Sequence, residues 1–222
     1  QSKTVADAIY HELEHPIVDL HDPEHEYLLL FFGSQVFICE HLFSIDERFF
    51  DRRSHRLSRN HPTSINPRFA RTMINLSGCD TLLDPFCGAG GIVLEAALLG
   101  SDVRGGDISP AMVSRAKENL AVFSLDVPLY SIDARDWSEP VCAIVTDLPY
   151  GRNSFTSDDL DSLYRSFFKK AATITDRMIV GCLADHPVSA FLDGDTWFIE
   201  NSYDIYIHKS MTRRILVVKK KG

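Results

Sequence analysis

The sequence predicts a doubly wound α/β fold, in which a mostly parallel sheet of seven strands ends in an antiparallel hairpin. Three observations support this prediction. From about Thr81 onwards, short apolar strands alternate with helices whose apolar residues recur at helical spacing. A glycine-rich turn joins the first of these strands to the first helix, and each of the first four strands runs into an aspartate. The alternation is typical of a parallel sheet that helices cover on both faces.

The strands are predicted from short apolar runs that stop at polar residues. Four strands lead to Asp84, Asp107, Asp133 and Asp147, and a fifth apolar strand follows the longest helix. A short turn separates the last two strands, which predicts an antiparallel pair that closes one edge of the sheet. In chain order the predicted strands cover residues 81–83, 103–105, 129–132, 142–146, 178–183, 203–208 and 214–218.

Three helices are predicted between these strands. The helix at residues 91–99 has one apolar face and stops at Gly100, a residue that favours helix C-termini. The helix at residues 110–123 carries a proline in its first turn, where no backbone N–H is needed. The helix at residues 157–175 has a continuous apolar stripe, which predicts that it packs on the sheet.

The first sixty residues are organised differently. Residues 5–15 are predicted to be helical, and residues 28–32 and 35–40 to form a hairpin around Gly33. The following stretch to Arg59 is basic and polar, as in a linker. The predicted organisation is an incomplete small domain at residues 1–45, a linker at residues 46–60 and the α/β domain at residues 61–222.

Composition limits the class of protein. Apolar residues make up 45% of the 222 residues, which is enough for a full hydrophobic core. No apolar run is long enough to span a bilayer, and no signal peptide is visible, so we expect no membrane association. The chain starts at Gln1 without an initiator methionine, and we expect it to be a fragment. The net charge of −8 implies that docking to a nucleic acid needs a partner, a further domain or a local basic strip.

The cysteines predict a reducing compartment. There are five of them, and none forms a CxxC pair. An odd, dispersed set is typical of free thiols in a cytoplasmic protein, so we expect neither a disulfide framework nor a zinc site. The cysteines are Cys39, Cys79, Cys87, Cys142 and Cys182.

A second metal signature is also set aside. His11 to His15 matches HExxH, which binds zinc when it lies on a helix. Pro16 follows at once, and a linker separates the motif from any cleft of the α/β domain. We therefore interpret it as a solvated helix end and assign no metal.

The glycine-rich turn at residues 84–91 indicates a ligand site. Glycines there let a ligand approach the backbone, and the N–H groups of the next helix point towards it. A dinucleotide site is disfavoured, because its GxGxxG pattern would need Gly or Ala where Val93 stands. A glycine turn without a ligand is the other interpretation.

The strand-end aspartates sharpen the interpretation of this turn as a nucleoside site. Asp107 lies nineteen positions after Gly88, where a carboxylate meets ribose hydroxyls. Asp133 is placed to receive an adenine amino group. Asp147 ends the strand next to the glycine turn, at the point where ligands bind in doubly wound sheets. Each aspartate alone could be an ordinary strand end, but three in register after one glycine turn favour a nucleoside site.

Two motifs resemble a known enzyme family. Asp147-Leu148-Pro149-Tyr150 resembles the (Asn/Asp)-Pro-Pro-(Tyr/Phe) motif of S-adenosylmethionine-dependent amino-methyltransferases, whose fold is the Rossmann-like class I type. The turn at residues 84–91 looks like their cofactor loop. Residues 61–76 are most similar to the tRNA guanine-N2 methyltransferases of archaea and eukaryotes, which act on the D-arm region around position 10. Those enzymes carry an N-terminal THUMP RNA-binding domain, and the predicted hairpin looks like part of one.

The resemblance implies roles for individual residues. Asp147 and the Leu148 carbonyl would each accept an N–H of the substrate amine, Pro149 would stiffen the turn, and Tyr150 would stack on a flipped base. Leu148 departs from the motif by replacing its first proline, and because the carbonyl is what the mechanism uses, we expect activity to survive. The residues expected to bind S-adenosylmethionine are Thr63, Asp84, Phe86, Gly88, Gly90, Asp107, Ile108, Asp133 and Ala134.

Alternatives and partners stay open at this point. The substrate could instead be a protein glutamine amide or the N6 of adenine in DNA, and a catalytically silent RNA-binding subunit is a third possibility. The resemblance also implies a partner, the small zinc-binding activator of some of these enzymes. It would dock on the free sheet edge between Leu129 and Ile132. Finally, the basic strip between Arg52 and Arg71 either leads RNA to the site or is a polar linker.

Overall fold

The computed structural model describes residues 2–14, 17–19, 21–44, 49, 52, 65–150, 160–209 and 211–222. They belong to two compact units, Gln1–Glu47 and Arg48–Gly222. Each unit has its own secondary structure.

The described residues of the first unit form one helix and one hairpin. Helix α1 spans Ser2–Glu12, and strands β1 (Glu26–Phe32) and β2 (Gln35–His41) pair antiparallel. Gly33 turns the hairpin with φ of 58°, a left-handed conformation that glycine adopts without strain. The predicted hairpin is confirmed. Because α1 ends at Glu12, only the first part of the HExxH match is helical, and His15 lies outside the described residues.

The second unit is built on one sheet of seven strands, as predicted. Their order is β5-β4-β3-β6-β7-β9-β8, with the first five strands parallel and the last two antiparallel. β9 inserts between β7 and β8, so the closing hairpin forms one edge and β5 the other. The strands are β3 (Thr81–Asp84), β4 (Asp102–Asp107), β5 (Leu129–Ser131), β6 (Ala143–Asp147), β7 (Arg177–Leu183), β8 (Trp197–His208) and β9 (Met211–Lys220).

Four α-helices in the described part of this unit flank the sheet. They are α2 (Pro67–Ser77), α3 (Gly91–Leu98), α4 (Pro110–Ala121) and α5 (Leu160–Ala171). The sequence analysis did not assign α2, although it has clear ends: the Asn66 side chain accepts the Arg68 N–H at 3.0 Å, and Gly78 closes the helix in the left-handed conformation. None of the helices in the described ranges is both long and apolar enough to cross a membrane.

Two apolar layers cover the two faces of the sheet. Adjacent strand residues alternate between the layers, as for Leu82 and Leu83 or Val217 and Val218. Helices α2, α3 and α4 pack in one layer, and α5 packs in the other through Phe167. The central strands are therefore buried on both faces, which fits their nearly continuous apolar sequences.

The expectation of free thiols throughout is wrong for one pair of cysteines. Cys79 and Cys142 form a disulfide, with their Cα atoms 5.8 Å apart, whereas Cys39, Cys87 and Cys182 are free. The pair forms because Cys79 and Cys142 stand just before β3 and β6, which are neighbours in the sheet. Their separation of 63 residues hides this closeness from any search for spacing motifs. The thiol argument for a cytoplasmic location does not hold for this pair.

Candidate active site

The carboxyl ends of β3, β4 and β6 bring three of the predicted aspartates to one edge of the sheet. Asp84 ends β3 and is only 2% exposed. Its Oδ1 accepts hydrogen bonds from Thr146 Oγ1 at 2.7 Å and from the Phe86 N–H at 3.3 Å. Burial raises the pKa of Asp84 to about 7, with a smaller contribution from the nearby carboxylates of Asp147 and Asp107.

The glycine turn that follows β3 is held in a defined shape. Gly88 and Gly90 have φ of 51° and 86°, so a side chain at either position would be strained. The Cys87 N–H donates to the Gly106 carbonyl at 2.8 Å, and Asn119 Nδ2 donates to the Ala89 carbonyl at 3.0 Å. Strand β4 and helix α4 thus brace the turn from outside.

Asp107 ties the end of β4 to the same turn. Its Oδ2 accepts the Gly88 N–H at 3.0 Å, and its Oδ1 accepts the Ser109 N–H at 2.8 Å. Burial raises the pKa of Asp107, while these two N–H groups oppose the rise. Each oxygen keeps a second lone pair, so Asp107 can still accept hydroxyl groups of a ligand.

The remaining predicted cofactor residues lie after β4 and β5. Ile108 is 53% exposed, whereas Ala134 is buried. Asp133 accepts three hydrogen bonds from Arg135, and these lower the pKa of Asp133. An amino group reaching Asp133 would therefore share its oxygens with Arg135.

The glycine turn has room for a ligand on its outer side. A Cβ built on Gly88 meets no atom within 4 Å. The half-exposed Phe86 ring lies beside it and packs edge-on against Phe167, with ring centroids 5.0 Å apart. The start of α3 adds backbone N–H groups that favour a carboxylate. An apolar ring, a carboxylate acceptor and a helix N-terminus are groups that suit the adenine, ribose and amino-acid parts of S-adenosylmethionine.

The segment before α2, which was predicted to contact the cofactor, lies only partly within the described residues. Thr63 lies outside the described residues. Ile65 lies against the start of α3, because a Cβ on Gly91 would be 2.6 Å from Ile65 Cγ2. Gly91 is thus required for close packing of this segment on the glycine turn.

Asp147 is the most constrained residue of the second motif. It ends β6 next to Gly181 of β7, and its Oδ2 accepts a hydrogen bond from Arg213 Nη1 at 2.7 Å. Its Oδ1 is buried and has no hydrogen-bond partner within the described part of the chain. Burial raises the pKa of Asp147, and the Arg213 guanidinium opposes the rise. One carboxylate oxygen is thus fixed, and the other is a vacant acceptor.

The rest of the motif is anchored to neighbouring elements. The Leu148 N–H donates to the Gly181 carbonyl at 2.9 Å, and the Leu148 side chain is buried. The Pro149 carbonyl accepts a hydrogen bond from the Tyr164 hydroxyl of α5. Tyr150 is half-buried, and its hydroxyl and ring both contact the Arg213 guanidinium.

The sequence analysis missed the residues that support these aspartates. Thr146, Tyr164, Gly181 and Arg213 were not singled out. Only Arg213 could have been noticed from the sequence, because it lies on the same strand face as Ile215, which is fully buried. A charged residue on a buried face needs a partner of opposite charge.

The basic strip does not survive as a continuous RNA-binding surface. Arg52 and Arg71 are each 9% exposed, and both pair with Glu95 of α3, which is 1% exposed. They are structural residues. Arg68 is exposed, and the arginines between Arg52 and Ile65 lie outside the described residues.

Comparisons of sequence connect this site with known proteins. A family described as RMKL-like, methyltransferase domain (UPF0020) matches residues 53–197. The tRNA (guanine(10)-N2)-dimethyltransferase of Methanothermobacter thermautotrophicus is 38% identical over 184 residues, which are 78% of this chain and 54% of that protein. The chain spans 54% to 60% of the length of three curated relatives with this name.

Comparisons of structure concern the fold alone. TrmN from Thermus thermophilus has a TM-score of 0.65 at 22% identity, covering 99% of this chain and 66% of that one. Magnesium protoporphyrin IX methyltransferase from Synechocystis PCC 6803, solved with bound S-adenosylmethionine, has a TM-score of 0.57 at 14% identity, with 69% and 79% covered.

Proposed function

The chain belongs to the RMKL-like methyltransferase domain family, and we propose that it transfers a methyl group from S-adenosylmethionine to the exocyclic N2 of a guanine in tRNA. The relatives of known name that support this substrate act on guanine 10, so we place the target in the D-arm region. The observation that carries the proposal is the Asp147 carboxylate. It ends β6 beside the strand that bears the glycine turn, and among the described residues its Oδ1 has no hydrogen-bond partner, which leaves it able to accept a substrate N–H.

The chemistry of the amine explains why a vacant acceptor is useful. The lone pair of an exocyclic amino group is delocalised into the aromatic ring, so the nitrogen is a poor nucleophile. When Asp147 and the Leu148 carbonyl each accept one N–H, the lone pair is turned towards the methyl donor. Holding both reactants in line supplies much of the rate.

The cofactor contributes the methyl group that is transferred. When bound, S-adenosylmethionine supplies an electrophilic methyl group on a positively charged sulfur. The carboxylates of Asp107 and Asp147 at this edge of the sheet favour a cationic ligand, and Asp84 adds to them as it ionises near pH 7. Asp147 also stabilises the positive charge that develops on the amine as the N–C bond forms, and it is placed to take the proton that the amine then loses.

Tyr150 is assigned to base binding. The Arg213 guanidinium lies over the Tyr150 ring, 5.2 Å from its centroid, and so covers one face. A flipped base would stack on the other face. The Tyr164 hydroxyl holds the intervening Pro149 carbonyl, which fixes the loop between acceptor and stacking ring.

Methyl transfer to an unmodified tRNA transcript tests this proposal. Labelled S-adenosylmethionine is incubated with the full-length protein, with and without the zinc-binding activator, and the modified nucleoside is identified after digestion. We expect label on guanine N2. The matched substrate carries inosine at position 10, which lacks only the 2-amino group and should accept no label there. In the matched protein, Asp147→Ala, label should disappear while cofactor binding persists.

The alternatives predict different results. A protein that binds cofactor but labels no tRNA in either condition contradicts the substrate assignment. The next substrates are then a glutamine-containing peptide and DNA with N6 of adenine as acceptor. A protein that binds tRNA but no cofactor would be a silent RNA-binding subunit.

We place the zinc-binding activator on the outer edge of β5. This strand ends the sheet, and Tyr130 is 48% exposed. The Ile132 N–H donates to the Asp107 carbonyl on β4, so by strand alternation the Ser131 N–H points outwards, where a partner strand could bind it.

Ser131→Pro tests this placement, because it removes an outward N–H without removing a bond to β4. We expect the substituted protein to lose co-purification with the activator, and Ser131→Ala to keep it. An intact complex with Ser131→Pro would contradict the placement.

A further inference from the structure

Arg213 reaches the site from a strand that is not adjacent to β6. It lies at the start of β9 opposite Leu183 of β7, and β7 separates it from Asp147. The guanidinium reaches across β7 to Asp147 Oδ2. The missing side chain of Gly181 leaves room for the other carboxylate oxygen, because a Cβ there would be 2.7 Å from Asp147 Oδ1. Arg213 is 8% exposed, so its charge is largely removed from water.

The guanidinium makes contacts with both ends of the motif. Nη1 donates to Asp147 Oδ2 at 2.7 Å, and Nη2 donates to the Tyr150 hydroxyl. The same group lies over the rings of Tyr150 and of Phe69, at 5.2 Å and 5.5 Å from their centroids. A planar fork suits this double contact, and a lysine could not reproduce it.

The surroundings of Asp147 show why a cation is needed there. The Asp147 charge helps to raise the pKa of Asp84 on β3, and it also helps to raise the pKa of the Tyr164 hydroxyl and of the Cys182 thiol, so all three groups lie near this carboxylate. Burial raises the pKa of Asp147 itself. Arg213 is the cation that opposes the effect of burial on Asp147. A protonated Asp147 would carry no negative charge, so it could not form charge-assisted hydrogen bonds with both the Arg213 guanidinium and the substrate amine.

We infer that Arg213 is a positioning residue for methyl transfer, which keeps Asp147 ionised, fixes its Oδ2 and orients Tyr150, so that Oδ1 alone meets the substrate amine. This inference rests on the proposed function. It divides the carboxylate into one structural and one reactive oxygen. It also makes Arg213 the link between amine alignment and base stacking.

Four variants separate this role from simple support of the fold. Arg213→Gln removes the charge, and Arg213→Lys keeps the charge without the second contact. Tyr150→Phe removes only the hydroxyl. The control, Arg214→Gln, changes the neighbouring arginine, which pairs with the exposed Asp204 instead. For each variant kcat, KM for tRNA and cofactor affinity are measured between pH 6 and 9.

We expect Arg213→Gln to lower kcat roughly 100-fold with little change in cofactor affinity. The acidic limb of its pH profile should move to higher pH, because Asp147 then ionises later. Arg213→Lys should recover the pH profile but only part of kcat, and Tyr150→Phe should chiefly raise KM. Arg214→Gln should match the parent protein. An unchanged kcat and pH profile in Arg213→Gln would overturn the inference.

A second readout does not depend on turnover. Carboxyl carbon resonances of the protein without ligands are followed by NMR against pH, with Asp147 assigned through Asp147→Asn. Arg213→Gln should move the Asp147 midpoint to higher pH, and Arg213→Lys should move it less; if neither moves it, the inference fails. If Arg213→Gln does not fold, Arg213→Lys decides the question through its kcat. A parent protein that labels no tRNA but shows the shift contradicts the proposed function, not the pairing.

Discussion

Among single residues, Asp84 has the clearest dependence on pH. Burial raises its pKa from 3.8 to about 7 in the folded protein. The folded state therefore binds this proton more tightly than the unfolded chain does. The contribution of Asp84 to the free energy of unfolding is fully present below about pH 4, and it is lost as the pH rises towards about 7.

Asp84→Asn should remove this loss of stability. Above pH 7 we expect the ligand-free variant to unfold at a higher temperature than the parent. Its free energy of unfolding should be larger by up to about 4 kcal/mol. The difference should shrink towards pH 5, where Asp84 is itself protonated. Thermal unfolding from pH 5 to 9 measures it. Asp126→Asn, at an exposed position, is the control, and parallel curves for Asp84→Asn and the parent would contradict the prediction.

Gly181 offers a second test at the residue scale. An alanine there would place Cβ 2.7 Å from Asp147 Oδ1 and 3.3 Å from Met73 Cε, so the carboxylate must move. We expect methyl transfer to fall roughly 100-fold. Overpacking of this kind costs about 1–3 kcal/mol of folding free energy.

The control for Gly181→Ala is Gly194→Ala, where an added Cβ meets no atom within 4 Å. The steady-state rate of methyl transfer and the unfolding temperature are measured for both variants. Normal turnover in Gly181→Ala would mean that Asp147 Oδ1 does not need its present position.

The site was predictable where function follows from a strand end. The placement of Asp84, Asp107 and Asp147 at one edge of the sheet was predicted, because parallel strands end together there. Arg213 was not, since its partner Asp147 is 66 residues away and no local pattern joins them. Pairs of this kind depend on which strands become neighbours.

At the scale of elements, the strand that differs most from its prediction lies in the closing hairpin. Strand β8 begins at Trp197, six residues before the predicted start, and includes the polar run from Glu200 to Ser202. These residues have low intrinsic preference for strands, but pairing with β9 supplies their backbone partners. The pairing of β8 with β9 shifts register between Ile199 and Asn201, within this polar run.

Helix α3 allows a prediction at the same scale. Glu95 is 1% exposed and pairs with Arg52 and Arg71, which joins the chain before α2 to the helix that follows the glycine turn. Removing one member of a buried ion pair leaves the others without compensation and costs about 3–5 kcal/mol. We therefore expect the free energy of unfolding of Glu95→Gln, measured in urea, to be lower than that of the parent by this amount.

The comparison for Glu95→Gln is Glu139→Gln, which breaks the pair with Arg104 at an exposed position. Exposed pairs contribute less than about 1 kcal/mol, so this variant should unfold close to the parent. Equal losses in the two variants would show that the buried cluster has no special role.

At the scale of the whole molecule, one topological fact explains both a correct and a wrong prediction. Strands β3 and β6 are neighbours although two other strands lie between them in the chain. That arrangement places Asp147 beside the glycine turn, as the fold class predicted. It equally places Cys142 beside Cys79 at the opposite ends of the same strands. The fold class was used to locate the aspartates but not the cysteines.

The disulfide makes a prediction about the stability of the whole α/β unit. It closes a loop across 63 residues, which includes the glycine turn and helices α3 and α4. Constraint of the unfolded chain by such a loop is worth about 4 kcal/mol, equivalent to roughly 10 °C in the unfolding temperature. Reductant should therefore lower the unfolding temperature of the parent. The paired replacement Cys79→Ser with Cys142→Ser should unfold at the lower temperature and no longer respond to reductant, whereas Cys39→Ser should still respond. If reductant leaves the parent unchanged, the disulfide contributes nothing to stability, and the packing of α2, α3 and α5 on the sheet accounts for it alone.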